Sequence, residues 1–156
     1  TSSGFNFDSC MFVTEEKDKI MRNGHLLLND IVFTSRGTLG NVALYDKNIK
    51  YKNVRINSGM LIIRPKGINL SPYFIYALLK SNYMKSAIEQ FRSGSAQPQL
   101  PIKDLQNITF DIPESQNVLD DLKHRFFKIE ETISINKREI GNLSELASIL
   151  LARLSR

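Results

Sequence analysis

Between Leu119 and Leu154 a residue recurs at alternating intervals of three and four: Leu119, Leu122, Phe126, Ile129, Ile133, Asn136, Ile140, Leu143, Ala147, Leu150 and Leu154, with Asn136 the single polar member. Such a heptad seam folds as one long helix and needs a partner surface to bury it. A straight helix from Ser115 to Leu154 would run roughly 60 Å. That length exceeds any compact domain formed by the residues before it. The chain therefore divides into a head, residues 1–111, and a coiled-coil stalk for spacing or dimerisation, residues 112–156. Asn136, if buried, requires a hydrogen-bond partner and so selects one register; the plainer reading is a wet gap in the partner. Gly141 inside the stalk costs about 1 kcal/mol relative to Ala, and the buried seam outweighs it.

The head reads as mixed strand and helix, giving an α+β fold followed by a long coiled-coil helix. Residues 26–33, 41–45 and 60–64 are short runs rich in Leu, Ile and Val, punctuated by Gly24, Gly37, Gly40, Gly59 and Gly67. That pattern favours strands joined by turns. Ser71-Pro72 is a helix entry, with a capping hydroxyl and Pro at the first helical position. Phe74, Ala77, Leu78, Met84, Ile88 and Phe91 then continue a mostly helical spacing. After the loop 92–101 the sequence predicts a short turn at 102–107 and a last strand, Ile108–Ile112, ended by Pro113.

No uncharged apolar stretch approaches the 18 or so residues of a membrane span. The N-terminal Thr-Ser-Ser-Gly is no signal peptide, and Cys10, the single cysteine, offers no disulfide framework. A cytoplasmic location is the expectation. The net charge of +5 sits entirely in the head: residues 1–111 carry fourteen Lys/Arg against nine Asp/Glu, while residues 112–156 balance at seven each. Within 36–66, Arg36, Lys47, Lys50, Lys52, Arg55, Arg64 and Lys66 face Asp46 alone. A basic block on a compact head is the footprint of a polyanion binder, and also what a solvated loop face looks like.

Catalytic and metal patterns are missing from the sequence. His25 and His124 are far apart, with only Cys10 beside them, so no metal-ligand cluster is expected. Neither a phosphate loop nor a dinucleotide fingerprint occurs. Ser93-Gly94-Ser95 lacks the surroundings of a nucleophile elbow. Asp8 with Glu15-Glu16-Lys17 resembles a metal-nuclease pattern only superficially. No enzyme activity is expected of the chain by itself.

Two loops carry a functional reading. Thr34-Ser-Arg36-Gly37-Thr38-Leu-Gly40-Asn41 ends a strand with a guanidinium among small, hydroxyl-bearing residues. It can set backbone amides and an arginine fork against phosphates or a guanine edge; it can equally be a tight turn. The loop 92–101 carries Arg92, Ser93, Ser95, Gln97 and Gln99. Gln pairs in bidentate fashion with adenine, and Ser and Arg hold phosphate; the alternative is a linker packing Pro98, Leu100 and Pro101 on the head. The DNA-contact candidates are thus Arg36, Gly37, Thr38, Lys47, Lys50, Lys52, Arg55, Arg92, Ser93, Ser95, Gln97 and Gln99.

The series Leu28-Asn-Asp-Ile-Val-Phe-Thr-Ser-Arg-Gly-Thr-Leu-Gly40, Ile56-Asn-Ser-Gly-Met-Leu-Ile-Ile-Arg-Pro65, Ser93-Gly-Ser-Ala-Gln-Pro-Gln-Leu-Pro101 with Leu105 and Ile108, and Ile112-Pro before a heptad helix is distinctive. Over about residues 24–156 it resembles the specificity subunit of type I restriction–modification systems. The resemblance implies that residues 1–111 are a target recognition domain reading half of a bipartite DNA site. It implies a stalk that pairs antiparallel with a second one, in the same subunit or in a second copy. Modification subunits would methylate adenine with S-adenosylmethionine, and a restriction subunit would cleave DNA, so that S-adenosylmethionine, Mg and ATP belong to those partners and no cofactor to this chain. One head and one stalk make it half of such a subunit or a half-length version. Residues 1–23 fit no part of the pattern. A competing reading from another class is a coiled-coil protein–protein adaptor that binds no nucleic acid.

Overall fold

A computed structural model describes residues 4–8, 10–66, 70–94 and 98–154. The chain enters through a short helix, α1 (Glu15–Ile20), which Thr14 caps by accepting from the Lys17 amide. Three strands follow, β1 (Ile31–Thr34), β2 (Val42–Leu44) and β3 (Met60–Ile63), in the order β2-β1-β3 and antiparallel throughout. The register places Phe33 against Val42 on one side and against Leu61 on the other. Every residue of the central strand is buried. This follows from covering both faces of the sheet: Ile31, Phe33, Val42 and Leu44 pack under the helices, while Val32 and Ala43 pack with Leu26, Tyr45 and Phe5 on the reverse.

The expected strand over 26–33 starts only at Ile31, because Asn29 adopts a left-handed φ of 72° and Asp30 turns the chain. The Asp30 carboxylate, 1% exposed, accepts from the Leu27 amide at 2.7 Å and from Arg64 Nε at 2.6 Å. The single helix read from Ser71 to Phe91 is two: α2 (Pro72–Lys80) and α3 (Asn82–Phe91). Ser81 is extended and caps the second by accepting from the Met84 amide. The helical spacing expected from the sequence runs straight across this break. A one-turn helix, α4 (Ile102–Leu105), occupies the predicted turn. Residues 108–112 form no strand; the sheet has three strands, and Phe110 goes to the helices instead, edge-on to Tyr83 with centroids 5.3 Å apart.

The last element, α5 (Gln116–Leu154), is 39 residues long, close to the expected span, or roughly 58 Å at 1.5 Å per residue. Its first half does not wait for an outside partner. Phe126 packs on Phe74 and Phe127 on Tyr73, with centroids 5.5 and 5.1 Å apart, and Glu130 pairs with Lys80 at 3.6 Å. Leu119, Leu122 and Ile133 are half-buried on the same side. After Ser134 every described residue of α5 is exposed, including Ile140 at 62% and Leu154 at 84%. One helix therefore serves two surfaces. At about 100° per residue, the head-facing side and the exposed stripe of Ile129, Ile140, Leu143, Leu150 and Leu154 lie roughly a third of a turn apart.

Candidate nucleic-acid interface

The two loops singled out from sequence meet at one end of the sheet. β1 delivers Ser35 and Arg36 beyond its last residue, and the chain returns into β2 through a loop closed by Thr34. The Thr34 amide donates to Asn41 O at 3.0 Å, its hydroxyl donates to Thr38 O, and its oxygen accepts from the Asn41 amide at 2.9 Å. Gly37 and Gly40 take φ of 72° and 74°, where residues with a side chain are strained. Gly40 has a second reason: a Cβ there would come within 2.6 Å of Ile88 Cδ1, since the loop lies on α3.

The loop after α3 is zipped to itself and then to this one. Ser93 and Gln99 exchange backbone hydrogen bonds of 2.9 and 2.8 Å. Gly37 N–H donates to Pro98 O at 3.1 Å and Leu100 N–H to Ser35 O at 2.9 Å, with Arg36 opposite Gln99 in an antiparallel bridge. A third segment joins them, the turn leading into β3. Gly59 O accepts from the amides of Ser35 and Arg36 at 2.9 and 3.3 Å, and from the Ser35 hydroxyl at 3.3 Å. Asn57 and Ser58, exposed at the tip of that turn, therefore sit beside Arg36. Sequence reasoning had not placed them in the site. The signal available was Asn57-Ser58-Gly59, a turn tripeptide whose Asn57 Oδ1 accepts from the Gly59 amide at 2.9 Å.

On this surface Arg36, Gly37, Thr38, Arg92 and Ser93 are exposed and Gln99 is half-buried. No described carboxylate pairs with Arg36. Arg92 is held by Glu89 at 3.1 Å, but both side chains are more than half exposed, so the pair is weak and open to exchange. Ser95 and Gln97 lie outside the described residues.

The basic block of 36–66 is not one patch. Antiparallel pairing puts the loop after β2 at the opposite end of the sheet from Arg36, and that loop carries Lys47, Lys50 and Lys52, all exposed. Tyr45 pins it by donating from its buried hydroxyl to the carbonyls of Tyr51 and Lys52 at 2.9 and 2.6 Å, while Lys50 lies over the Tyr51 ring at 5.4 Å. Burial raises the Tyr45 hydroxyl above its ordinary value.

Two arginines of the block are structural. Arg55, one of the candidate DNA contacts, is half-buried, donates to the Asp18 side chain, and reaches Asp18 O at 2.8 Å and Asn23 O at 2.9 Å. It ties α1 to the head, and its hydrogen bond holds the Asp18 carboxyl below the ordinary 3.8. Arg64 is likewise committed to Asp30, and that hydrogen bond raises the guanidinium further.

Three convergent loops with an uncommitted arginine, on a small α+β head joined to a long arm, define a recognition module on a stalk. Over residues 16–144 the sequence matches the family model described as the type I restriction modification DNA specificity domain. The chain belongs to that family, and its task is DNA sequence recognition in type I restriction–modification. The family read from the sequence is the one matched; the match begins at residue 16, within the stretch 1–23 that fitted no part of the pattern, and ends at residue 144. A comparison with curated proteins finds no match. Among the described residues no helix is long and apolar enough to cross a membrane.

Proposed function

We propose that this chain reads one half of a bipartite DNA site and that its stalk sets the distance to a second reading head. The base-reading surface is the convergence of residues 35–41, 57–59, 92–94 and 98–99, with Arg36 and Gln99 as the principal readers and Arg92, Ser93 and the loop amides as phosphate contacts. That convergence is the observation that carries the reading. A lone basic loop is common, whereas three segments far apart in sequence, hydrogen-bonded into one exposed surface, make a scaffold that fixes side-chain placement. Lys47, Lys50 and Lys52 supply sequence-independent attraction from the other end of the sheet.

The stalk continues as a docking helix. From Asn136 onward it presents Ile140, Leu143, Ala147, Leu150 and Leu154 to a second stalk, belonging either to an identical chain or to another half-subunit, and Asn136 selects their register. Methylation of adenine with S-adenosylmethionine, and cleavage with Mg and ATP, fall to modification and restriction subunits that the recognition module directs. Binding to duplex DNA across a salt series tests this reading. Affinity that falls steeply with salt, yet stays higher for one duplex than for random sequence, supports it. A response that is flat in salt favours the adaptor that binds no nucleic acid.

A further inference from the structure

The contact between α2 and α5 combines aromatic pairs with an ion pair. Two aromatic pairs, Tyr73 with Phe127 at 5.1 Å and Phe74 with Phe126 at 5.5 Å, sit side by side at the start of α2. At the other end of α2, Lys80 is held twice, by Glu130 at 3.6 Å and by the face of Tyr76 at 4.5 Å. Phe74 and Tyr76 are themselves buried, and Tyr76 belongs to the main core with Leu79. The helix is thus gripped at two points along α2 by residues anchored in the core. Rings meeting edge-on at close to a right angle, 88° for Tyr73 and Phe127, fix orientation as well as distance.

We infer that Tyr73, Phe74, Lys80, Phe126, Phe127 and Glu130 form a lock that sets the angle of the reading head on its stalk, and that this lock determines which spacing between half-sites is accepted. The second part rests on the stalk-as-spacer reading given above. The geometry makes the lock decisive. From Asn136 to Leu154 the free arm is about 27 Å, so a swing of about 10° moves its tip by about 5 Å, more than the 3.4 Å rise of one base pair. Stalk length alone therefore cannot hold a spacing to the base pair. A hinge that wandered by about 10° would accept neighbouring spacings, whereas aromatic rings packed into a core have discrete arrangements.

The test separates the lock from the DNA reading. In the full chain with Cys10→Ser, spin labels are placed at Asn53→Cys on the head and Asn142→Cys on the stalk, the labelled chain is diluted into excess unlabelled chain so that only distances within one chain are read, and the distance distribution is measured. A single narrow distribution is expected, broadening in Phe127→Ala and, approached from the head side, in Tyr73→Ala. Lys80→Gln removes the ion pair and the contact with the Tyr76 face but leaves the aromatic pairs, and should broaden it less. If Phe127→Ala loses its fold, Phe127→Leu, which keeps bulk without the ring, takes its place. A distribution that stays narrow in every folded variant overturns the lock. Binding to duplexes whose half-sites differ by one base pair in spacing then reads its consequence. The unaltered chain should discriminate by at least about tenfold, and the broadened variants by clearly less, with affinity for a single half-site unchanged. Broadening without loss of spacing discrimination overturns the second part. If the unaltered chain shows no preference among spacings, the spacer reading fails, while the distance measurement still decides whether the lock exists.

Discussion

Gly37 donates its backbone N–H to the carbonyl of Pro98 at 3.1 Å, and this bond joins the loop that carries Arg36 to the loop that carries Gln99. It places a forked cation and an amide side chain on one surface, the two side-chain types best suited to reading guanine and adenine in the major groove. Arg36→Ala should therefore weaken binding to the specific duplex by about 1–3 kcal/mol, roughly five- to 150-fold, and binding to random sequence far less. Competition titrations with both duplexes check this. Equal losses on the two would make Arg36 a phosphate contact only.

Gly37 and Gly40 should differ in what replacement costs. Both have positive φ, but a Cβ at Gly37 meets open space while one at Gly40 presses on Ile88. Gly37→Ala is expected to cost about 1 kcal/mol through the backbone alone. Gly40→Ala should cost more, about 2 kcal/mol or above, since Ile88 must also shift. Denaturant unfolding of the two variants settles the order. Gly37→Ala proving the more damaging would mean the Gly40 loop is not seated on α3.

How much of this was legible beforehand depended on whether the signal was local. The stalk was, because a heptad repeat states its own period, and α5 starts within one residue of the expected position. The division of that seam between two surfaces was not. Phe127 and Glu130, off the seam, decide the head-facing side, and only the fold brings Tyr73 and Lys80 to meet them. The break at Ser81 and the helix after Thr14 were not read from the sequence, although Ser81 and Thr14 are both capping residue types. The strand predicted at 108–112 had the right composition, but Phe110 packs against Tyr83 of α3 instead of joining the sheet, and composition cannot show that. Both reading loops were picked out by residue type. Their contact, the arrival of Asn57 and Ser58, and the loss of Arg55 to Asp18 are tertiary facts.

The Asp18–Arg55 pair predicts a pH response confined to α1. The Asp18 pKa is depressed in the folded state, so its contribution to stability is present above the unfolded value near 3.8 and is lost as pH falls through the lower folded value. Carboxyl chemical shifts should show Asp18 titrating below 3.8, and Arg55→Met should return it towards that value. An unchanged midpoint in Arg55→Met would mean the pair does not persist in solution.

Leu143 and Leu150 carry the pairing prediction. They lie on the exposed apolar stripe of α5 beyond Ser134, at 58% and 50% exposure. A helix of this length with an open apolar stripe should associate, so sedimentation is expected to show dimers that Leu143→Glu with Leu150→Glu converts to monomers with the head still folded. A monomeric unaltered chain at high micromolar concentration would remove self-pairing and leave a different second stalk as the partner.

The central claim is that the three convergent loops read base sequence. Selection from a random duplex library by the intact chain, compared with Arg36→Ala and with Gln99→Ala, measures it most directly. The account predicts that the intact chain enriches a defined motif and that each variant loses preference at its own position while keeping the rest. No enriched motif, or the same motif in all three, would contradict it.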